Sequence, residues 1–132
     1  KDFIVKNKIE NIKFIGEKNP DEISNLMNSS KLLLMASSYE GLPRVLIESG
    51  LCGLPSIATN IQGIRKPFGE DGGTLLYELN NSDEFINNIK NFVNNKKLQK
   101  TMSLKSFELS KQLAGEGKFL SNWNELEKMI YE

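Results

Sequence analysis

The run Leu32-Leu33-Leu34-Met35-Ala36 leads into Ser37-Ser38-Tyr39-Glu40-Gly41-Leu42-Pro43-Arg44-Val45-Leu46-Ile47-Glu48, and Gly53-Leu54-Pro55-Ser56-Ile57-Ala58-Thr59 follows four residues later. The opening run is continuously apolar, as in a strand buried on both faces of a parallel sheet. A short polar loop follows, and Pro43 suits the first turn of a helix, where its missing N–H is not needed. That helix carries Val45, Leu46, Ile47 and Leu51 and is expected to end at Gly53, with Pro55 just beyond. Ser56–Thr59 reads as the next buried strand. Strand, helix and strand at this spacing predict βαβ units, right-handed, in an open parallel sheet.

Upstream, Ile12-Lys13-Phe14-Ile15 before Gly16 reads as a strand, being short, mostly β-branched or aromatic, and Gly-terminated. Pro20-Asp21-Glu22 opens a helix with Ile23, Leu26 and Met27 at helical spacing. Downstream, 60–73 reads as a Gly-rich loop and Thr74–Tyr77 as a last strand. Everything after Ser82 reads as helix, with Ser82 as N-cap and Phe85, Ile86, Ile89 and Val93 on one face. Leu98, Met102, Leu104 and Leu109 continue the theme less regularly. A terminal helix from about Glu116 carries Phe119, Leu120, Trp123, Leu126 and Ile130. Residues 1–132 are thus expected to be one partial domain: a βα core over about 1–81 and a helical tail over about 82–132.

The 132 residues suffice for a single core. Lys plus Arg and Asp plus Glu are each 17, so nothing in the global charge pulls the chain toward nucleic acid. The absence of histidine removes Ser-His-Asp and Cys-His catalysis and every histidine-ligated metal site. The lone Cys52 offers no internal disulfide, fits a reducing compartment, and is expected to be an inert buried thiol. No apolar run approaches the ~20 residues of a membrane span. The chain opens without a signal-peptide pattern or an initiator Met and reads as an excised piece. Neither Gly-x4-Gly-Lys nor Gly-x-Gly-x2-Gly occurs.

The chemistry is expected in the loop after the first apolar run. In open parallel sheets, ligands bind at the C-terminal ends of the strands. Backbone N–H groups of Gly41, Leu42 and the helix start, with the helix dipole, favour an anion such as a diphosphate. Glu40 sits in the loop, and Glu48 lies about one and a half turns inside the helix. A carboxylate can accept from two hydroxyls at once, which suits a sugar diol. The spacing alone is weak: Glu40/Glu48, Glu70/Glu78 and Glu108/Glu116 are all eight apart, and about one such pair is expected by chance. Only the first lies between a buried strand and a Pro-started helix. The bland alternative is that both carboxylates merely cap and solvate that helix.

With its flanks, Glu-Gly-Leu-Pro before and Gly-Leu-Pro after, this stretch resembles the Glu-x7-Glu signature of retaining glycosyltransferases of the GT-B fold, in the glycosyltransferase 4 or group 1 family. The resemblance covers about Ile12 to Tyr77 well and the helical tail only by general type. It implies the C-terminal, donor-binding half of a GT-B enzyme, a Rossmann-like open sheet with flanking helices. It implies that Glu48 binds the nucleotide ribose, that Glu40 binds donor-sugar hydroxyls and acts in catalysis, and that the Gly41-Leu42-Pro43 backbone lies near sugar and phosphate. It also implies no metal and no cofactor, a UDP- or GDP-linked sugar as donor substrate, and a front-face route in which the leaving phosphate helps deprotonate the acceptor. No protein nucleophile is therefore assigned.

The partners implied are the nucleotide-sugar, a glycan or lipid-linked acceptor, and an N-terminal GT-B domain missing here; nucleic acid is not among them. The expected place is the cytoplasm, with peripheral contact at the inner face of the membrane. The chain departs from the family in lacking the stretch that supplies an Arg and a Lys to the donor diphosphate. Arg44, Arg65 and Lys66 do not substitute for them by position, so the piece alone is expected to be inactive. Gln62-Gly63 falls where the family has a Gly-Gly turn facing the donor, and the loop after Ile15-Gly16 falls near the nucleotide base. Lys90, Lys96, Lys97, Lys100, Lys105 and Lys111 read as a solvated helix face, with a membrane-facing surface as the alternative. A nucleotide-sugar epimerase shares the sheet but usually depends on histidine. A non-catalytic carbohydrate or protein-interaction module of the same fold stays open as the second reading.

Overall fold

The structure is a computed structural model that describes residues 2–69 and 73–115. After a short helix α1 (Asp2–Lys6), the elements are α2 (Pro20–Ser29), β1 (Leu33–Met35), α3 (Arg44–Leu51), β2 (Ser56–Thr59), the single turn α4 (Gln62–Ile64), a π-helical turn (Arg65–Gly69), β3 (Thr74–Tyr77), α5 (Ser82–Asn94) and α6 (Lys96–Leu113). The three strands are parallel in the order β1-β2-β3, with Leu34 opposite Ile57 and Ile57 opposite Leu75. This is the predicted open parallel sheet with flanking helices. Central β2 is buried along its whole length, and the Ser56 and Thr74 hydroxyls, opposite each other in the register, share a 2.7 Å hydrogen bond. That pairing satisfies two polar groups that would otherwise be stranded in the interior.

Several expectations need correction. Ile12–Ile15 forms no strand, and Ile12, Phe14 and Ile15 are 49, 56 and 51% exposed. A strand exists only when its backbone groups meet a neighbouring ladder, and this segment joins none of the three strands. For the same reason β1 is not buried on both faces. It is an edge strand, with Leu33 and Met35 turned to the core and Leu34 exposed. Within the supposed loop 60–73, residues 62–69 are helical, because Ile64 and Phe68, four apart, both plunge into the core at 0 and 2% exposure. The N-cap of α5 is Asn81, one residue before Ser82, because its side chain accepts from the amide of Glu84 at the third helical position. On α5 the inward residue is Phe92 and not Val93, while Phe85 stacks tilted on Tyr77 at 4.8 Å. Leu104 of α6 faces outward. The terminal helix expected from Glu116, Trp123 included, lies outside the described residues.

The local signals at the start of α2 and the end of α3 hold, whereas Pro43, expected in the first turn of α3, stands just before it. Asn19 caps α2 in a reciprocal box with Glu22, and Pro20 occupies the first turn. Lys18, with the Asn19 amide, holds the Glu22 carboxyl below the usual carboxylate range. Helix α3 ends through Cys52 into Gly53, whose φ of +65° closes the helix in the left-handed region. Pro43 precedes the first turn of α3 and is its N-cap, with no side-chain hydrogen bond to cap the helix.

The core is built from Leu46 and Ile47 of α3, Ala58 of β2, Ile64, Phe68 and Ala114. Helix α6 lies along α3 at close range because Gly50 meets Ser106 and Ser110, both buried. A methyl group on Gly50 would overlap Ser110 Oγ and sit 2.6 Å from the Ser106 carbonyl oxygen. The helices after residue 81 therefore complete the core that seats α3, the helix whose start was singled out for chemistry.

Candidate functional site

Loops at the C-terminal ends of β1 and β2 meet there. The first, from Ser37 to Pro43, is fastened at its base by the Thr59 hydroxyl, which donates to the Ser37 carbonyl. Ser37 Oγ in turn donates to Glu40 Oε1 at 2.8 Å. One carboxylate oxygen is thus engaged by its own loop, which fixes the direction of the half-buried side chain and leaves Oε2 for a ligand. The second loop presses on the first at Gly63. A Cβ there would overlap the carbonyl oxygens of Glu40 and Gly41 and lie 2.7 Å from the Glu40 carbonyl carbon. Only glycine lets the two backbones come this close.

Between them opens a cleft of about 570 Å³, lined by Ser38, Tyr39, Glu40, Gly41 and, from the second loop, Ile61, Gln62, Gly63, Lys66 and Pro67. That volume is in the range of small-molecule sites. Tyr39 stands at its edge, 87% exposed. Replacing Gly63 by Ala is expected to cost about 1–2 kcal/mol of stability, in the range of overpacking. Amide NMR shifts of Glu40 and Gly41 should move most; unmoved shifts there would show that the loops do not bear on each other.

The five residues expected to act together are divided. Glu40 and Gly41 line the cleft; Leu42, Pro43 and Glu48 do not. Leu42 is exposed and Pro43 is buried. Glu48 is half-buried on the flank of α3 that also carries Cys52, whose thiol bonds Ser24 on α2. Burial first, and then the Glu48 charge, push the Cys52 thiol upward, against the pull of the Ser24 bond. Cys52 is thus half-buried and not buried as expected, although its thiolate is disfavoured. Glu40 opens toward the loop after β2, whereas Glu48 lies near Cys52, and the uncapped start of α3 stands between them in sequence.

Sequence reasoning missed Lys66 as a lining residue of the cleft. The available signal was the spacing of Ile64 and Phe68, which turns the chain helically and brings Lys66 beside Gly63. Of the six tail lysines, Lys90, Lys96, Lys97, Lys100 and Lys111 are exposed and Lys105 is half-buried. Among the described residues no helix is long and apolar enough to cross a membrane.

Residues 4–108 match the family described as glycosyl transferases group 1. The chain belongs to that family. An uncharacterized glycosyltransferase of Methanocaldococcus jannaschii is 32% identical to this group 1 glycosyltransferase chain over 114 residues, covering 86% of the chain and 32% of the relative. A UDP-Gal:alpha-D-GlcNAc-diphosphoundecaprenol alpha-1,3-galactosyltransferase of Escherichia coli is 34% identical over 67 residues, covering 51% of the chain and 17% of the relative. The chain therefore spans about a third or less of the length of these relatives. In fold it superposes on sucrose-phosphate synthase of Thermosynechococcus elongatus with a TM-score of 0.81, at 18% identity, over 98% of the chain and 33% of that protein. Anabaena HepE, solved with UDP-glucose, gives a TM-score of 0.77 at 22% identity, over 96% of the chain and 34% of that protein. The group 1 chain thus has the fold of the C-terminal half of a GT-B glycosyltransferase.

Proposed function

We propose that this chain is the donor-binding half of a retaining hexosyltransferase. It binds a UDP- or GDP-linked sugar and, within a longer enzyme that adds an N-terminal domain, passes the sugar to a glycan or lipid-linked acceptor. The observation that carries the reading is the fixed Glu40 carboxylate in a ligand-sized cleft at the C-terminal ends of the strands. The names of the relatives support the acceptor class: besides the Escherichia coli enzyme, a Campylobacter jejuni relative acts on a diphospho-undecaprenol-linked sugar. A cytoplasmic place at the inner membrane face, where such an acceptor is met, belongs to the same proposal.

In this reading the sugar sits at Glu40, the diphosphate at the N–H groups of Gly41, Leu42 and the α3 start, and the ribose at Glu48. The transfer needs no protein nucleophile, because the leaving phosphate takes the acceptor proton on the same face. The α3 dipole stabilises the charge gained by the diphosphate as the glycosidic bond breaks.

The ribose assignment is tested with Glu48→Gln. The substitution keeps size and hydrogen-bonding reach but removes the charge. UDP or GDP affinity should fall by about 1.5 kcal/mol, near tenfold, the lower end for hydrogen bonds to a charged group because the site is half-open. NMR titration of both proteins measures it. Unchanged affinity in a folded variant would leave Glu48 only a helix-surface role.

A further inference from the structure

Lys66 shares the Glu40 cleft, and among its nine described lining residues only these two carry a charge. Their hydrogen-bonding chemistry is opposite. An ionised carboxylate only accepts and an ammonium only donates. The hydroxyls of a neutral sugar serve Glu40 well but are weak partners for an ammonium, whose best partner is an anionic oxygen. Among the described residues Lys66 forms no ion pair, with Glu40 or with any other carboxylate. Its backbone is well placed to hold a position, since it lies on the π-helical turn between the deeply buried Ile64 and Phe68. Such turns are frequent at functional sites.

The position also bears on which anion is met. Leu42 and Pro43, at the start of α3 where a diphosphate would gather, are not part of this cleft. Lys66 is on the Glu40 side, the sugar side of the proposed donor. We propose that Lys66 makes this site selective for donors whose transferred sugar carries a carboxylate, a hexuronic acid, with the ammonium pairing that carboxylate while Glu40 takes hydroxyls of the same ring. A sugar carboxylate near Glu40 is otherwise repelled, and Lys66 is the charge in the cleft that offsets the repulsion. The inference rests on the donor-binding reading above.

The experiment titrates this chain by NMR with two matched pairs, UDP-glucose and UDP-glucuronate, GDP-mannose and GDP-mannuronate, and with UDP and GDP alone. The acidic member of the accepted pair should bind several-fold tighter than the neutral one. Lys66→Met should lower that acidic-to-neutral ratio by about five- to tenfold, between an exposed ion pair and a charge-assisted one in a cleft. Lys66→Arg should keep most of it. A ratio that Lys66→Met leaves unchanged overturns the inference, including the case where all donors and the free nucleotide weaken together because Lys66 meets the diphosphate. A wild-type preference for the neutral sugar overturns it too. If no nucleotide or nucleotide-sugar binds at all, it is the donor-binding reading that falls first.

Discussion

Glu40→Ala, introduced into an enzyme that carries this chain as its donor half, should lower kcat on the order of 10²-fold, the scale of one lost transition-state contact. Affinity for UDP or GDP alone should change far less, because the proposed arrangement puts the nucleotide on the other side of the α3 start. The asymmetry follows from where the carboxylate is held. Ser37 fixes one oxygen and Thr59 fixes Ser37, so in the proposed donor complex the other oxygen would meet the sugar without rearrangement as charge redistributes around the anomeric carbon. Alanine removes that oxygen but leaves the loop anchored through the Ser37 carbonyl and packed on Gly63. Steady-state kinetics beside nucleotide titration separates the two effects. A variant with normal kcat would place the sugar elsewhere, and equal losses in kcat and nucleotide affinity would point to a collapsed loop.

The second large effect lies far from any ligand. Gly50→Val should destabilise the fold by about 3 kcal/mol, at the upper end for overpacking, and lower Tm by on the order of 10 °C. Ser110 and the Ser106 carbonyl already stand where the first added carbon would go, and a carbonyl in a helix cannot swing away as a long side chain would. Gly50→Ala should show a smaller loss in the same direction. Thermal unfolding followed by circular dichroism measures both. A Tm within about 2 °C of the parent for the valine variant would mean that α3 and α6 part easily, against the close seating seen here.

What could be read from the chain beforehand was whatever is decided locally. Short apolar runs set off by polar residues, Gly or Pro located β1, β2, β3 and α3, and in central β2 burial on a parallel sheet leaves no polar face to blur the pattern. The Glu40 loop was legible as the polar interruption between an apolar strand and a helix announced by Pro43. What failed depended on partners. Ile12–Ile15 has strand-like residues but meets no ladder, and β1 has the composition of a central strand while occupying an edge. The turn carrying Lys66 was hidden because Gly, Arg, Lys and Pro suggest a loop, and only the Ile64 and Phe68 pair betrays its helical winding. The division of Glu40 from Glu48 was also out of reach. Eight residues of spacing cross a loop whose path is set by Thr59 and Gly63, neither of them part of the motif.

The seating of Gly50 against Ser106 and Ser110 also orders events while the protein is being made. Ser110 lies sixty positions after Gly50, so on a ribosome the helix bearing Glu48 emerges long before the surface that receives it. Until α6 has followed, Leu46 and Ile47 lack Ala114 and Leu109, two of the residues that close the core around them. The nascent β1-α3-β2 segment, apolar and with an open strand edge, must wait in an unfinished state in which unwanted strand pairing is the main hazard.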